Sequence, residues 1–264
     1  MSNPSFSELL AGMDRGQSAR IEADIPAGWM QGRTTYGGLT TALCHESARE
    51  LAEGAPIRAV QVAFIGPVGG HVVFSPNVLR RGRSAAFINV DVVSERGIMA
   101  RAIFTFGTSR ESTVRVDDLP MPDIAGPDGI EPFMEGMSGG PSFMQHFDML
   151  KVTGGEPFSG SNQRQLGLWL RHRGCDEPDS PTALLALADA PLPPALVMMS
   201  TLAPTSSMTW MAEFVGKHPN PDGWYYATSK LEAAADGYSS QRMALWSQDR
   251  RPVMIGRQTV AMFS

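Results

Sequence analysis

Three kinds of polar side chain in the C-terminal part of this 264-residue chain are candidates for acid–base chemistry. The first is Asp189, in the last turn of an otherwise apolar predicted helix, ALLALADAPLPPAL. A carboxylate there opposes the helix dipole, and in apolar surroundings it costs free energy unless it is hydrogen-bonded. Asp189 is therefore either an ordinary solvent-facing aspartate or a general base at the end of a helix that faces a groove.

The final predicted strand carries the second candidate, Gln258, in the run IGRQTVAMF. Val260 and Met262 share its strand face, because side chains alternate with a period of two. A buried amide on this apolar face needs a hydrogen-bonding partner, and water or a substrate carbonyl would supply one. A solvent-facing glutamine on an edge strand is the alternative.

Hydroxyl side chains that precede or open the strand ending at Phe214 form the third candidate group. They are Thr205, Ser206, Ser207 and Thr209. Hydroxyls before a strand are often turn formers. Beside Asp189 and Gln258, one of them would instead hold a nucleophilic water.

Two further motifs have an ordinary explanation as well as a functional one. The segment Gly136–Gly140 fits the G-x-S-x-G nucleophile elbow, which requires a strand before the serine and a helix after it. Pro132 and Pro141 flank this glycine-rich segment, so no elbow is predicted. The cluster from Arg80 to Arg83 is either a solvated turn or a clamp for the phosphates of a nucleotide-bearing substrate.

The five histidines do not suggest a metal centre. They form no H-x-x-x-H or H-E-x-x-H pair, so neither a metal nor another cofactor is predicted. His45 lies on a predicted helix, where an ordinary partly buried histidine and a catalytic one both fit the pattern.

The composition predicts a soluble, cytoplasmic protein. A formal net charge of −5 disfavours a nucleic acid as the main partner. Cys44 and Cys175 make neither a disulfide framework nor a metal-like pair. No apolar run approaches the roughly 20 residues that span a bilayer. The first residues lack the basic start and apolar core of a secretory signal.

Two similar sets of elements must position these candidates. A helix with a small, mostly apolar face runs from Tyr36 to about Ala52 and opens with two glycines. Four predicted strands follow it: Ala59–Ile65, Val72–Arg80, Ala85–Val93 and Ile98–Thr108. Four also follow the second helix, Pro181–Ala190: Met208–Val215, Trp224–Glu232, Tyr238–Ser247 and Met254–Phe263. Each set predicts a strongly curved antiparallel sheet wrapped around its helix.

The repeated order of helix and strands indicates an internal duplication. We lay Phe64 on Phe214 to align the two copies. This places Arg81–Ser84 over Asp236–Ser239, so that each third strand opens after a Gly-x-Ser turn. The later strands then align with two residues inserted.

The predicted domain boundaries follow from this duplication. Residues 1–110 form the first unit and residues 161–264 the second. Residues 111–160, rich in Gly, Pro, Asp and Met, form a partly packed linker that includes a strand near Phe143–Lys151.

Several stretches of the chain resemble the acyl-CoA thioesterase II family and its thioesterase-like relatives. They are GRTTYGGLTTAL, AVQVAFIGPV and LRRGRSAAFINVDVV in the first half, and DGYSSQRMALWSQDRRPVMIGRQTVAMF in the second. The resemblance implies an α+β double hotdog: two tandem hotdog units, each a curved antiparallel sheet wrapped around a central helix. It also implies hydrolysis of an acyl-CoA thioester to a free acid and CoA, without metal, cofactor or covalent intermediate.

The resemblance further assigns roles to the polar candidates. By motif, the family's aspartate falls on Asp189 and its glutamine on Gln258. The hydroxyl falls on Ser207 when counted back from Phe214, or on Thr205 when the A-x-T turn is matched, and we choose Ser207. The residues assigned to substrate binding are Gly37, Gly38, Arg80, Arg83, Thr205, Thr209 and Tyr238.

The expected partners are an acyl-CoA substrate and a second copy of the chain, in a homodimer or higher homo-oligomer, with no nucleic acid and no membrane span. A non-catalytic acyl-CoA or lipid-binding hotdog protein is the alternative. A hydratase or dehydratase needs a catalytic histidine with an acid, and no D-x-x-x-x-H spacing accompanies His45, so this class ranks lowest.

Overall fold

The computed structural model describes residues 3–16, 19–116, 118–133, 140–216, 220 and 222–263. Within them, the α-helices are α1 (Phe6–Ala11), α2 (Gly37–Glu50), α3 (Pro181–Ala188) and α4 (Ala195–Met198). The strands of the first half are β1 (Asp14–Arg15), β2 (Ile21–Asp24), β3 (Met30–Gln31), β4 (Thr34–Thr35), β5 (Ile57–Phe64), β6 (His71–Arg81), β7 (Ala85–Ser94) and β8 (Gly97–Gly107). Those of the second are β9 (Phe147–Thr153), β10 (Gln165–His172), β11 (Thr205–Phe214), β12 (Tyr225–Ala235), β13 (Tyr238–Ser247) and β14 (Pro252–Met262).

One antiparallel sheet contains twelve of these strands, in the order β1-β2-β6-β7-β8-β5-β11-β14-β13-β12-β10-β9. The remaining pair, β3 and β4, forms a small separate hairpin. The first six strands in the order come from one half of the chain and the last six from the other. β5 and β11 join the halves at the centre, where Gln61 pairs with Met211. The predicted double hotdog is confirmed.

Helices α2 and α3 form the centre of the molecule and pack against each other. The residues of α2 from Gly38 to Ala48 are buried, so this helix is surrounded rather than laid on a surface. Tyr36 Oη donates a 2.6 Å hydrogen bond to the carbonyl oxygen of Ala186 on α3. A Cβ atom on Gly38 would lie 2.7 Å from that same oxygen. The second glycine of α2 is therefore required by the close approach of the two helices.

Irregularities in the strand ladders repeat between the two halves. The register shifts between Ile57 and Ala59 in the first half and between Ser207 and Thr209 in the second, which are related by the overlay of Phe64 on Phe214. Two further shifts also match: Val78/Arg80 corresponds to Leu231/Ala233, and Val92/Val93 corresponds to Leu245/Trp246. The duplication therefore extends to single bulges, which re-aim side chains at the same point of each sheet.

The predicted overlay of the later strands is wrong, by two residues in the third strand and by three in the fourth, where the ladders match Phe106 with Val260 rather than Phe263. The ladders match Ala85 with Tyr238, whereas the overlay placed Ala85 on Ser240. The reason is a difference between the turns. Asp236 and Gly237 both have positive φ and make a two-residue hairpin turn, whereas Gly82 has an ordinary φ in a turn of three residues. Matching the two turn glycines therefore shifts the alignment.

The segment between the two halves packs against both of them. Met121 lies against Trp169, Tyr226 and Trp246 of the second half, and Trp246 Nε1 donates a 2.9 Å hydrogen bond to the Leu119 carbonyl. Strand β9 lies where a strand was predicted near Phe143–Lys151, and it pairs with β10 at the edge of the sheet.

Candidate active site

Asp189 is placed by the end of α3. Ser180 caps the start of this helix by accepting a hydrogen bond from the Ala183 N–H, and Pro181 occupies its first turn. Asp189 is the residue that ends it, and Pro191 follows closely. The side chain of Asp189 is buried rather than solvent-facing, with 9% of its surface exposed. Of the two interpretations that the sequence left open, the solvent-facing aspartate is therefore excluded.

Gln258 reaches Asp189 from the inner face of β14. Its Nε2 donates to Asp189 Oδ1 at 2.8 Å and lies 3.1 Å from Ser207 Oγ. Gln258 is 4% exposed, so it is not a solvent-facing glutamine. One buried amide group thus links the carboxylate of α3 to a hydroxyl of β11.

Ser207 owes its position to the bulge at the start of β11. The register against β14 shifts between Ser207 and Thr209, and Ser207 is half-buried while Thr209 is exposed. Thr205 lines the same pocket as Ser207, but the hydrogen bond from Gln258 goes to Ser207. Ser207 is therefore the hydroxyl that contacts the Asp189–Gln258 pair.

The first turn of α2 brings the backbone of the other half to the same point. The Gly38 N–H faces the Asp189 carboxylate and favours its ionised form. A Cβ atom on Gly37 would lie 2.8 Å from Asp189 Oδ2 and 3.1 Å from the Phe64 ring, so only glycine leaves room for the carboxylate. The positive end of the α2 dipole faces this site.

The surroundings of Asp189 bring the pKa of its carboxyl group close to neutral. Burial raises the pKa of Asp189 to about 7, and the hydrogen bond from Gln258 and the Gly38 N–H oppose this shift without cancelling it. Burial, with the nearby charge on Asp189, also raises the pKa of Tyr36 well above its usual value. A carboxyl group that titrates near pH 7 suits a general base.

Asp189, Ser207, Gln258 and Tyr36 line one open pocket. Its walls are Gln31, Tyr36, Phe143, Asp189, Ala190, Pro191, Leu192, Pro193, Thr205, Ser207, Gln258 and Val260. Phe143 comes from the linker and stacks on Tyr36 at a centroid distance of 4.0 Å. The linker therefore supplies part of the pocket wall.

Tyr238, which was assigned to the substrate, lies at the same end of the sheet as Ser207. It is exposed and pairs with Ala261, next to Val260 of the pocket wall. It does not contact the Asp189–Gln258 pair.

Arg80 and Arg83 are not brought to this site. Both are exposed and lie at the β6–β7 turn, in the row of paired residues that runs through Ala86 and Phe106 to Ile57. Asp189 lies near the other end of β5, beside Phe64. Seven residues of extended chain separate the two ends, which is roughly 23 Å. Their role in substrate binding stays a prediction.

The remaining motifs of the sequence lie elsewhere. The G-x-S-x-G segment falls largely outside the described residues. His45 is buried against Thr182, with its Nδ1 2.9 Å from Thr182 Oγ1, and burial lowers its pKa to about 4. It is a neutral structural histidine. Among the described residues, no group of three or more histidine, cysteine or acidic side chains could hold a metal ion.

Two residues of the site were missed in the sequence. Tyr36 stood in the predicted helix start but carried no role, and Gln241 was read only as part of a strand. Gln241 shares the inner face of β13 with Ser239 and Met243 by the period of two. A glutamine on an apolar strand face was the same signal that had singled out Gln258.

Comparisons with known proteins agree with this fold. The model of the acyl-CoA thioesterase C-terminal domain matches residues 117–262, and that of the acyl-CoA thioesterase N-terminal domain matches residues 25–107. Because the first match alone spans more than half of the chain, the protein belongs to the acyl-CoA thioesterase family. It is therefore a thioester hydrolase that acts on acyl-CoA.

Solved structures with the same fold are distant in sequence. A hot dog fold protein from Alicyclobacillus acidocaldarius matches with a TM-score of 0.82 at 20% identity, over 96% of each chain. The tesB protein of Mycobacterium avium subsp. paratuberculosis matches at 0.81 and 16% identity, over 99% of this chain and 100% of that one. An acyl-CoA thioesterase II of Mycobacterium marinum matches at 0.76 and 17% identity, over 97% of each. No curated protein matches the chain.

Proposed function

We propose that Asp189, Ser207 and Gln258 activate the water that hydrolyses the acyl-CoA thioester. The observation that carries this proposal is the Gln258 amide, which lies within hydrogen-bonding distance of both the Asp189 carboxylate and the Ser207 hydroxyl. The three groups line the same pocket. In this scheme a water held by Ser207 and Asp189 faces the incoming thioester carbonyl.

The reaction balances without a covalent intermediate. Asp189 accepts a proton from the bound water, and the resulting hydroxide attacks the thioester carbonyl carbon. The positive end of α2, beginning at Gly37, stabilises the oxyanion that forms. The tetrahedral intermediate collapses, the C–S bond breaks, and the departing thiolate takes the proton from Asp189. The products are a free acid and CoA.

The test is the Asp189→Asn variant, which keeps the shape of the side chain and removes its basicity. We expect kcat to fall by about 10²–10⁴-fold, because general-base assistance is typically worth that much. The measurement is release of CoA thiol from a panel of acyl-CoAs of increasing chain length. Asp24→Asn is the matched control, since Asp24 is an exposed aspartate of the other half.

Two results would contradict the proposal. Asp189→Asn hydrolysing acyl-CoA at the wild-type rate would remove Asp189 from the mechanism. Binding of acyl-CoA by the wild-type chain without any release of thiol would instead favour the non-catalytic binding protein.

We also infer a cytoplasmic, homo-oligomeric protein. The cytoplasmic location is supported by Cys44 and Cys175, which are both free thiols. Within the described residues, no helix is long and apolar enough to cross a membrane. The oligomer rests on the family resemblance, and sedimentation of the purified chain measures it.

A further inference from the structure

Gln241 holds the amide of Gln258 from the side opposite to Asp189. It lies on β13, directly across the ladder from Gln258, and is completely buried. Its Nε2 donates a 2.7 Å hydrogen bond to Gln258 Oε1. The other contact of this Nε2 is a weak one, to Met243 Sδ at 3.9 Å.

The direction of the hydrogen bonds along this row is fixed by charge. Asp189 in its carboxylate form only accepts, so Gln258 must turn its NH₂ group toward it. The carbonyl oxygen of Gln258 then faces away from Asp189 and needs a donor. Gln241 supplies that donor. If the Gln258 amide were reversed, its carbonyl oxygen would face the carboxylate of Asp189 and repel it.

The first half of the chain serves as an internal control for this pair. The matching ladder position of Gln241 is Ile88, and that of Gln258 is Phe104, which pair with each other in the same way. Ile88 and Phe104 are fully buried. The hotdog unit therefore packs well with apolar side chains at both positions, so the fold itself does not require the two glutamines.

A contribution to folding stability does not explain the presence of a glutamine at position 241. Its Oε1 is buried and, within the described part of the chain, has no hydrogen-bond partner. A buried acceptor without a partner costs free energy, which an apolar residue at this position would avoid. The hydrogen bond from Gln241 to Gln258 is the interaction that sets against this cost.

We propose that Gln241 is a positioning residue, which orients the Gln258 amide toward Asp189 and Ser207. This inference rests on the proposed roles of Asp189 and Gln258 in thioester hydrolysis. Gln241 does not touch the water or the thioester in this scheme, so it acts on the rate through Gln258 alone.

The first test is Gln241→Met, which keeps the length of the side chain and removes the donor. We expect kcat to fall by roughly 10- to 100-fold with KM within about twofold of wild type, as for other residues that orient a reacting group. The unfolding temperature should not fall. Ser239→Ala is the matched control: Ser239 lies on the same strand face, is buried, and corresponds to Ala86 of the first half. It should leave kcat unchanged.

Gln241→Glu separates orientation from packing. The introduced carboxyl group donates to Gln258 Oε1 when it is protonated, whereas in its ionised form it accepts and reverses the amide. We expect Gln241→Glu to be more active than Gln241→Met at about pH 6, with an advantage that shrinks as the introduced carboxyl group ionises. A role in packing alone would not depend on pH in this way.

The outcomes decide the inference separately from the proposed function. Wild-type kcat in Gln241→Met, or a Gln241→Glu variant no better than Gln241→Met at about pH 6, would overturn it. If Gln241→Met does not fold, Gln241→Glu decides alone: a kcat relative to wild type that rises as pH falls supports the inference, and a flat, reduced ratio contradicts it. Failure of the proposed function would appear instead in Asp189→Asn.

Discussion

Asp189 has opposite effects on reactivity and on stability. Its pKa of about 7 in the folded protein lies above the value of 3.8 for a free aspartate, because burial penalises the charged form. The folded state therefore binds more protons than the unfolded chain between these two values. The contribution of Asp189 to the free energy of unfolding therefore falls as pH rises through that window. The full destabilisation caused by burying its charged form is present above pH 7.

This cost gives a prediction for Asp189→Asn beyond its loss of activity. We expect the variant to be more stable than wild type at about pH 8, by about 1–3 kcal/mol, and to lose that advantage at about pH 4. Chemical denaturation at the two pH values measures the difference, and contributions from other titrating groups cancel between the two proteins. An equal stability difference at both pH values would contradict the assigned pKa.

In the wild-type enzyme, kcat/KM should decline as pH falls through about 7, since Asp189 must be ionised to accept a proton.

At the scale of elements, the approach of α2 to α3 sets the geometry of the site. The two glycines that open α2 face different neighbours: Gly37 faces the Asp189 carboxylate, and Gly38 faces Tyr36 and the backbone of Ala186. A methyl group at the first position therefore presses on the proposed base. A methyl group at the second presses the two helices apart.

Alanine substitutions at these two glycines should separate activity from stability. Gly37→Ala displaces Asp189, and we expect kcat to fall by roughly 10- to 100-fold with a small change in stability. The methyl group added by Gly38→Ala would lie 2.7 Å from the backbone oxygen of Ala186. Relieving this clash requires a shift of the α3 backbone, so we expect a loss of about 1–3 kcal/mol of unfolding free energy. Steady-state kinetics and denaturation measure the two effects. Gly126→Ala, with no atom within 4 Å of the added methyl, is the control. Identical defects in both variants would argue against this division.

At the scale of the whole molecule, the two halves repeat one arrangement but use it differently. Asp189, at the end of α3, faces the backbone N–H of Gly38 at the start of α2. At the other end of this helix pair, Thr182 at the start of α3 lies 2.9 Å from His45 Nδ1 and donates a 2.6 Å hydrogen bond to Glu46, late in α2. The surroundings differ: Arg15 and Arg49 pair with Glu46, and these partners, with Thr182, lower its pKa despite burial.

The sheet beside this part of α2, where His45 packs against Phe104 and Phe106, is also apolar, whereas the sheet beside Asp189 is polar. The ladder positions that match Ser207, Gln241 and Gln258 hold Ile57, Ile88 and Phe104. Counted from the helix starts at Gly37 and Pro181, the position of Asp189 corresponds to His45, and Glu46 is the next residue. The first half therefore lacks both the carboxylate at that position and the polar groups that would activate a water. Glu46 is instead a structural residue: it binds Thr182 of α3 and forms ion pairs with Arg15 and Arg49.

Glu46→Gln should therefore affect stability and leave the chemistry intact. We expect a loss of about 1–3 kcal/mol of unfolding free energy, because two arginines lose their charged partner. The loss should disappear at acidic pH: the lowered pKa of Glu46 gives a stabilisation that is present above the unfolded value and lost as pH falls through the folded one. Unfolding measured across pH, together with kcat at neutral pH, tests this. A large drop in kcat without destabilisation would assign Glu46 a role in the reaction.

The helices and strands of this protein follow from local patterns in its sequence. Apolar alternation marked the strands, two opening glycines marked α2, and the awkward position of Asp189 in an apolar helix marked a carboxylate that needs partners. These signals are local, because helix and strand periodicities are read within a few residues. The repeated order of helix and strands also predicted two similar units, each a curved sheet wrapped around a helix.

The contacts between side chains of the site, in contrast, depend on how the elements pack in the folded chain. Asp189 and Gln258 lie 69 residues apart and approach because β14 crosses the end of α3. The bulge in β11 selects Ser207 over its neighbouring hydroxyls, and the pairing of β13 with β14 brings Gln241 against Gln258. The same ladders carry Arg80 and Arg83 to the far end of the sheet. Hydrogen-bond partners such as these depend on strand register, turn length and bulges, which the periodicity of a single strand does not specify.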